Sequence, residues 1–533
     1  MSRDTFLKGA LILTVAGVLV KVIGSVNRIL LSRLLGGEGV GLYQMAYPIY
    51  LLALSISSAG IPVAISIIVA EKVARGDFRG ANRVFRVSLA MLGVTGVLFT
   101  FLLYYGAGWL IEARFVRDPR AYYAIAALAP AIFFVTVLSS YRGYFQGLQE
   151  MTPTAVSQIV EQLFRVVTMI AFAYLLLPHG LEYAAAGASF GAGPGAAAGL
   201  LVLIFFYLRQ RPKLRRRMES QPEMSQESGR RIITRIIKLA LPVSLANIML
   251  PVVSNIDLLI VPARLEVAGN TVEQATELFG YLTGMAVPLV NLATILTASL
   301  AASLVPAISE ACALNDRSRI FQRTATAIRI ANLITIPSFV GMYLLATPIS
   351  QMLYGTPNAG ASIAIMSFGI FLLGMHQITT GILQGLGHTA IPVINMVISA
   401  AVKIVLSWVL TALPSLGIKG AAWATNADFG LAAILNLVFI YRYVGFVIDI
   451  RNTLKTIFGA AVMGAIVLLA YDAVMSKLLN NMLATLIAIL IGTGAYGISL
   501  IVTGAVAERD IAQLPKVGAH LVKYLKLLGL MRR

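Results

Sequence analysis

The chain has 533 residues, of which 58% are hydrophobic and only 12% charged, with a formal charge of +19 and a mean hydropathy of +0.83. Soluble globular domains carry about 25% charged residues, so the composition excludes a soluble enzyme or binding module and points to an all-α polytopic membrane protein. The single cysteine, Cys312, excludes an intramolecular disulfide and a cysteine-based zinc site, and His179, His376, His388 and His520 are scattered without ligand spacing. Neither a metal nor a cofactor is expected.

Apolar stretches near or above the roughly 20 residues that a helix needs to cross a bilayer recur along the chain. Fourteen spans are predicted: 9–32, 41–70, 87–110, 121–145, 154–177 and 184–208, then 238–262, 278–308, 325–348, 360–383, 392–413 and 419–440, and finally 455–475 and 482–504. Continuous runs favour helices over a barrel, whose strands would alternate over about ten residues. The expected organisation is an N-terminal six-helix bundle over 1–208, a cytosolic basic linker over 209–237, and a C-terminal six-helix bundle over 238–440. Two additional transmembrane helices over 441–504 and a basic amphipathic cytosolic tail over 505–533 complete it. In the tail, Leu521, Leu525 and Leu528 share a helical face with Lys516, Lys523 and Lys526 among or before them, the pattern of a helix lying on a membrane surface. Lys21 interrupts the first apolar stretch and no small-residue cleavage pattern follows it, so the first helix is expected to remain.

With the N-terminus placed in the cytosol, 31 of the 42 Lys and Arg fall on cytosolic segments and helix ends, 7 on outer ones and 4 within spans. This bias sets the orientation, with both termini cytosolic. It also accounts for the net charge: the tracts 209–217 (RQRPKLRRR) and 229–235 (GRRIITR) read as orientation signals that touch anionic lipid head groups, and no nucleic-acid partner is expected.

The sequence repeats itself. Gln146-Gly147-Leu148 recurs as Gln384-Gly385-Leu386, and 384 − 146 = 238. Met45-Ala46-Tyr47-Pro48-Ile49 matches Met285-Ala286-Val287-Pro288-Leu289 at 285 − 45 = 240, and Gly180, Ala184 and Ala185 match Gly417, Ala421 and Ala422 at 417 − 180 = 237. The first span matches at a shorter offset, Lys8, Ala10, Thr14 and Ala16 against Lys238, Ala240, Ser244 and Ala246 at 238 − 8 = 230. Matches in chain order at a nearly constant offset imply an internal duplication with about ten extra residues in the second copy, located in the outer loop 267–276. Six helices per copy is an even number, so the repeats are parallel. Gly147 and Gly385 then end the fourth helix of each bundle, as residues of a tight turn or as a gate contact.

Ionisable residues within spans cost roughly 2.5 to 3.5 kcal/mol each on insertion scales and point to function. They are Lys21 and Arg28 in the first helix, Glu161 and Arg165 in the fifth, Asp257 in the seventh, Lys403 in the eleventh and Asp428 in the twelfth. Lys21 and Arg28 are two turns apart and share a face, while Glu161 and Arg165 are one turn apart and can pair. Arg165 and Lys403 differ by 403 − 165 = 238 and occupy equivalent positions, whereas 257 − 27 = 230 makes Asp257 the equivalent of Asn27. The cations Lys21, Arg28, Arg165 and Lys403 read as substrate-binding residues, and Glu161, Asp257 and Asp428 as ion-coupling or charge-pairing residues. Snorkelling or paired structural charges are the competing reading. A cationic cavity suits an anionic substrate whose tail remains in the bilayer, such as a lipid-linked pyrophosphate.

The segments 21–36 (KVIGSVNRILLSRLLG) and 42–66 (LYQMAYPIYLLALSISSAGIPVAIS), set in fourteen helices arranged as two sixes plus two, resemble the polysaccharide transporter branch of the multidrug/oligosaccharidyl-lipid/polysaccharide exporter superfamily, which includes lipid II flippases and sporulation proteins. The resemblance implies a bacterial plasma-membrane transporter working by rocking of two bundles. It implies lipid II or a similar undecaprenyl-linked sugar as cargo, cavity-lining cations at Lys21 and Arg28, and cell-wall synthesis proteins as partners. Related flippases often carry an arginine about a turn after the second-helix proline, where this chain has Leu52 and Ala53 beyond Pro48. Two alternatives stand beside this reading. A multidrug or cation antiporter of the same superfamily would favour acidic cavity residues, and an integral-membrane glycan enzyme would need acid/base groups clustered in outer loops, which here are short.

The charge bias places Cys312, just after the eighth expected span, on the cytosolic side. An impermeant thiol reagent added to intact cells is expected to leave it unlabelled, and ready labelling from outside would overturn the orientation.

Overall fold

The computed structural model describes residues 3–58, 60–221, 227–446 and 449–506, and every regular element among them is helical. In hydrocarbon each backbone N–H and C=O must be paired within the spanning structure, which a helix achieves by itself. The first half runs α1 (Arg3–Ser58), α2 (Ile61–Ala74), α3 (Phe78–Glu112), α4 (Ala121–Gly147), α5 (Met151–Leu176), α6 (Leu181–Phe190) and α7 (Ala192–Glu219). Next come α8 (Gly229–Val267), α9 (Val272–Phe279), α10 (Val287–Ala293), α11 (Ile295–Ala313), α12 (Arg317–Leu344) and α13 (Ala346–Tyr354). The chain continues through α14 (Gly360–Gly385), α15 (Ala390–Leu410), α16 (Ile418–Val444), α17 (Ile450–Leu478) and α18 (Asn481–Val502).

Twelve segments among the described residues are long and apolar enough to cross a bilayer, against the fourteen expected. The difference arises at two places. One segment, Val15–Ala74, holds 60 residues, about 90 Å of helix and enough for two crossings. It covers the first two expected spans, and α1 is broken between them at Gly36 (φ 65°, ψ −170°), a left-handed position that favours glycine. The other is α8, the seventh expected span, a continuous helix of 39 residues that is not among the twelve.

The chain forms two compact units: α1 to α7, α8 as far as Glu266, and α9 make up the first, and α10 to α18 the second. The placement of α8 differs from the expectation that it opens the second bundle. Ile232, Ile236 and Ala240 enter one core with Ile65, Ile68 and Phe85, Asn255 donates Nδ2 to the Pro48 carbonyl at 2.8 Å, and Arg235 pairs with Glu71. Gly60 permits the approach: with φ 74° it could hold a Cβ only 2.6 Å from the Ala240 carbonyl oxygen. Of the extra outer residues, 270–276 also pack in the first unit. Thr271 and Gln274 form a reciprocal cap on α9, and Thr276 donates to Asp118 at 2.9 Å. Asp118, 1% exposed, also accepts from Arg120 at 2.8 Å, which reaches Glu38 at 2.7 Å. Hydrogen bonding to Asp118 raises the Arg120 pKa above its already high ordinary value, so this cation is permanent.

The expected linker is shorter than its polarity suggests. Residues 209–219 continue α7 and 229–237 begin α8, because Arg, Lys, Glu and Gln are good helix formers outside the bilayer. Arg215 pairs with Glu219 at 2.9 Å one turn on, and the Arg217 guanidinium lies 5.3 Å from the centre of the Phe78 ring. The amphipathic tail, beyond Val506, lies outside the described residues.

Local geometry recurs at the sequence offset. After α4 the N–H of Glu150 bonds the Phe145 carbonyl at 2.9 Å and that of Gln149 bonds Gln146 at 2.9 Å; after α14 His388 bonds Leu383 at 2.9 Å and Gly387 bonds Gln384 at 3.0 Å. Both are two-bond helix-closing turns. Their left-handed residues are Gln149 (φ 59°) and Gly387 (φ 86°), with 387 − 149 = 238, so the glycines of the echoed motif are not the turn residues. They serve helix packing instead. A Cβ on Gly147 would lie 2.6 Å from Val69 Cβ, and one on Gly385 would lie 2.8 Å from Ile308 Cβ. One turn earlier, Gly143 faces the Pro62 carbonyl at 2.7 Å and Gly381 faces that of Ala301 at 2.9 Å. The echo therefore belongs to a small-xxx-small contact that seats α4 on α2 and α14 on α11. A second recurrence, at 315 − 76 = 239, places Gly76 and Asn315 at left-handed positions before Asp77 and Asp316. These aspartates cap α3 and α12 by accepting from Gly80 N (2.7 Å) and Arg319 N (3.0 Å).

Two substitutions of opposite sign follow. Gly385→Val forces a side chain into an occupied contact and is expected to destabilise by roughly 1–3 kcal/mol, whereas Gln149→Gly relieves a left-handed side-chain residue worth roughly 1–2 kcal/mol. Thermal unfolding of the purified protein should show a lower Tm for the first and a higher one for the second. Normal stability with lost transport in Gly385→Val would assign the motif to a gate instead.

Candidate functional site

In the first unit the spanning charges collect where α4 and α5 meet, backed by α7. Gly191, Gly195 and Gly199 recur every four residues along one face of α7. A Cβ on Gly195 would lie 2.8 Å from Arg165 Cβ, one on Gly199 3.0 Å from Glu161 Cβ, and one on Gly191 2.5 Å from Met169 Cγ. The stripe lets α5 lie flush on α7 and fixes the stations of Glu161 and Arg165. Arg165 donates Nη2 to Glu161 Oε1 at 3.1 Å, the pairing that the four-residue spacing predicts. Arg142 of α4 donates Nη2 to the other oxygen, Oε2, at 2.8 Å and shares Ser157 Oγ through Nε and Nη2 at 3.2 Å. One carboxylate thus spans two guanidiniums, and the cluster keeps a net charge of +1. Arginine does not shed its proton in proteins, so that charge stays.

Three tyrosines of α1, Tyr43, Tyr47 and Tyr50, stand at i, i+4 and i+7, with ring centroids 5.6 Å apart for the first pair and 6.0 Å for the second. All three are electrostatic neighbours of Arg165, and Tyr43 is also a neighbour of Arg28. The Tyr50 hydroxyl is buried beside the Arg165 guanidinium, whose Nε has no acceptor in hydrogen-bond geometry. The expected cations of α1 differ in environment. Arg28 is half-buried and Lys21 is exposed. Between them, Gly24 faces Gln162 of α5 and Asn27 donates to Met169 Sδ at 3.3 Å. Asp257, half-buried on α8, belongs to this unit and has interactions of its own.

In the second unit α15 turns its polar side inward. Asn395, Ser399, Lys403 and Ser407, each one turn after the last, are buried, while Ile394, Val405 and Trp408 are exposed. A helix packed this way suits hydrocarbon, with its hydrogen-bonding groups turned to protein. Ser399 donates to Asp428 Oδ1 of α16 at 2.5 Å, and Asn395 donates to Asn436 Oδ1 at 2.8 Å. Asn436 in turn reaches Thr379 at 3.2 Å and Thr380 at 3.1 Å on α14. Lys403 is 5% exposed and takes part in interactions of its own. Ser399 stands where the first unit has Glu161, since 399 − 161 = 238, so here the neighbouring helix α16 supplies the acid.

The sequence reading paired Arg165 with Glu161 but missed Arg142, which it took for an orientation charge at a helix end. Signals were present: the tyrosines have helical spacing, and the run 191–199 (GAGPGAAAG) carries the small-residue stripe. Among the described residues no three His, Cys, Asp or Glu side chains converge as metal ligands.

The family described as polysaccharide biosynthesis protein matches residues 6–312, and the MatE family matches residues 282–409. Stage V sporulation protein B of Bacillus subtilis (strain 168) is 34% identical over 85% of this chain and 86% of its own length. The lipid II flippase MurJ of the same organism is 27% identical over 86% of this chain and 87% of its own. Among solved structures, a lipid II flippase MurJ in an inward closed conformation superposes with a TM-score of 0.68 at 18% identity, covering 94% of this chain and 100% of that one. An inward-facing multidrug resistance MATE family transporter gives 0.66 at 17% identity, covering 80% and 94%; at these identities the likeness is one of fold. On the family match and the sporulation relative, the chain belongs to the polysaccharide biosynthesis protein family of the multidrug/oligosaccharidyl-lipid/polysaccharide exporter superfamily and is a multi-pass bacterial membrane transporter rather than an enzyme.

Proposed function

We propose that the protein is a flippase that carries an undecaprenyl-pyrophosphate-linked sugar, lipid II or a related cell-wall or polysaccharide precursor, outward across the plasma membrane by alternating access. Its substrate site is built from Arg165 and Lys403 at equivalent positions of the two repeats, with Arg28 and Lys21 on the approach. The fourteen-crossing arrangement with cytosolic termini belongs to the same reading, as do contacts with cell-wall synthesis proteins.

The observation that carries it is the excess of cations over acids within the spans. Arg142 and Arg165 share one carboxylate, Glu161. Buried guanidiniums hold their charge at a cost that only anions offset, and a pyrophosphate offers charge and bidentate acceptor geometry together. The relatives support the same direction, since one of them is a lipid II flippase. The MatE match over 282–409 favours a second reading, export of drugs in exchange for a cation. A cationic cargo calls for available acids, however, and Glu161 is bridged by two arginines while Asp428 accepts from Ser399.

Reconstituted proteoliposomes test the two readings directly, with lipid II and other undecaprenyl-pyrophosphate sugars in one arm and cationic drugs in the other. Lys403→Gln and Arg165→Gln are each expected to slow flipping per inserted molecule by at least about tenfold, the equivalent of ~1.4 kcal/mol of barrier, and Lys403→Arg to retain part of the rate. Lys21→Gln, at an exposed position, is expected to have the smaller effect. Wild-type rates in all three glutamine variants, or transport of drugs alone, would sink the proposal.

A further inference from the structure

The Arg142–Glu161–Arg165 cluster contains an acid where an anion-binding site would do better without one. Glu161 gives one oxygen to each guanidinium, at 2.8 Å from Arg142 Nη2 and 3.1 Å from Arg165 Nη2, so neither arginine makes the two-bond fork that it forms with a dedicated carboxylate partner. Arg165 Nε, on the same guanidinium, is buried without an acceptor in hydrogen-bond geometry, and the hydroxyl of Tyr50, a residue 1% exposed, is buried beside this guanidinium. Donors therefore remain unused around the anion already in place. The three charged side chains keep between 14% and 18% of their surface exposed, so the cluster is reachable. Resting on the flippase reading above, we propose that Glu161 is an internal stand-in for the substrate's phosphate: it spans Arg142 and Arg165 in the unloaded protein and yields both guanidiniums to the pyrophosphate of the lipid-linked substrate.

The exchange answers a problem that any membrane site for a pyrophosphate faces. Two guanidiniums left without an anion in a low-dielectric interior would be strongly destabilising, so an empty site needs a resident acid. A resident acid that stayed in place would repel the incoming phosphates. One that can leave solves both, and its return helps to expel the pyrophosphate after the crossing. Arg142 thereby becomes a substrate-binding residue, and Glu161 sets the balance between capture and release.

The test uses full-length protein in nanodiscs, with undecaprenyl pyrophosphate as the probe and undecaprenol as the uncharged control. Glu161→Gln is expected to bind the pyrophosphate lipid at least about tenfold more tightly and to flip more slowly because release is hindered. Arg142→Gln is expected to bind it at least about tenfold more weakly, with partial rescue by Arg142→Lys. In the wild-type protein, the probe should increase modification of Glu161 by dicyclohexylcarbodiimide, because a carboxyl freed from its arginines becomes reactive, while undecaprenol should not. That labelling reads the exchange even if Glu161→Gln fails to fold. Weaker or unchanged binding in a folded Glu161→Gln, or labelling that falls or stays constant with the probe, overturns the exchange while leaving the flippase reading intact. Failure of the wild-type protein to prefer the pyrophosphate lipid over undecaprenol overturns both.

Discussion

Hydrocarbon cannot solvate a charge or an unpaired peptide group, and that constraint governs most of what is unusual in this chain. It makes every described element a helix, and it turns helices inside out relative to those of soluble proteins. On α15 the asparagine, serines and lysine are buried while Val405 and Trp408 face outward. It also requires that an arginine placed in a span bring its own anion, and Glu161 serves Arg142 and Arg165 at once.

Because lipid is as apolar as leucine, apolar burial alone does not drive these helices together; close backbone approach and hydrogen bonds do. Glycine supplies the approach at the places that matter. Gly143 and Gly147 seat α4 on α2, which sets the height of Arg142; Gly191, Gly195 and Gly199 seat α5 on α7, which sets that of Glu161 and Arg165. The bridging carboxylate thus depends on two glycine stripes that touch neither arginine's charged end. A side chain added to either stripe would move the helix, and a shift of about one ångström is enough to break a hydrogen bond of 2.8 Å.

Much of this was legible in the sequence. Class, the all-helical fold and the Glu161–Arg165 pair followed from composition, apolar run length and four-residue spacing, each of which reports a local or bulk property, and the family from the resemblance of segments 21–36 and 42–66. The repeat offset located equivalent positions well enough that closing turns recur 238 residues apart. The failures concern contacts between segments distant in sequence. Arg142 reaches Glu161 across a loop, 19 residues away, and nothing in the spacing distinguishes it from an orientation charge. α8 was assigned to the second bundle by repeat logic, yet Gly60 and Glu71 draw it into the first unit, since a repeat fixes ancestry rather than neighbours. The polar stretch 209–237 was read as linker because polarity usually marks loops, whereas arginine-rich helix extends readily beyond a membrane.

The two units have kept their packing and changed their charges. The glycine pair at 143 and 147 reappears at 381 and 385 with the same kind of contact, and helix-closing turns and aspartate caps reappear with it. At the charged positions within the spans the copies differ: Arg165 answers to Lys403, and Glu161 to Ser399. Arginine presents a planar fork that binds two acceptors at once, while lysine is a compact point charge on a flexible stem. In the first unit the acid is carried by α5, the same helix as Arg165; in the second, Asp428 is carried by α16 and accepts from Ser399 of α15. The Arg165–Glu161 pair sits on one helix, whereas the Arg142–Glu161 and Ser399–Asp428 contacts each join two helices.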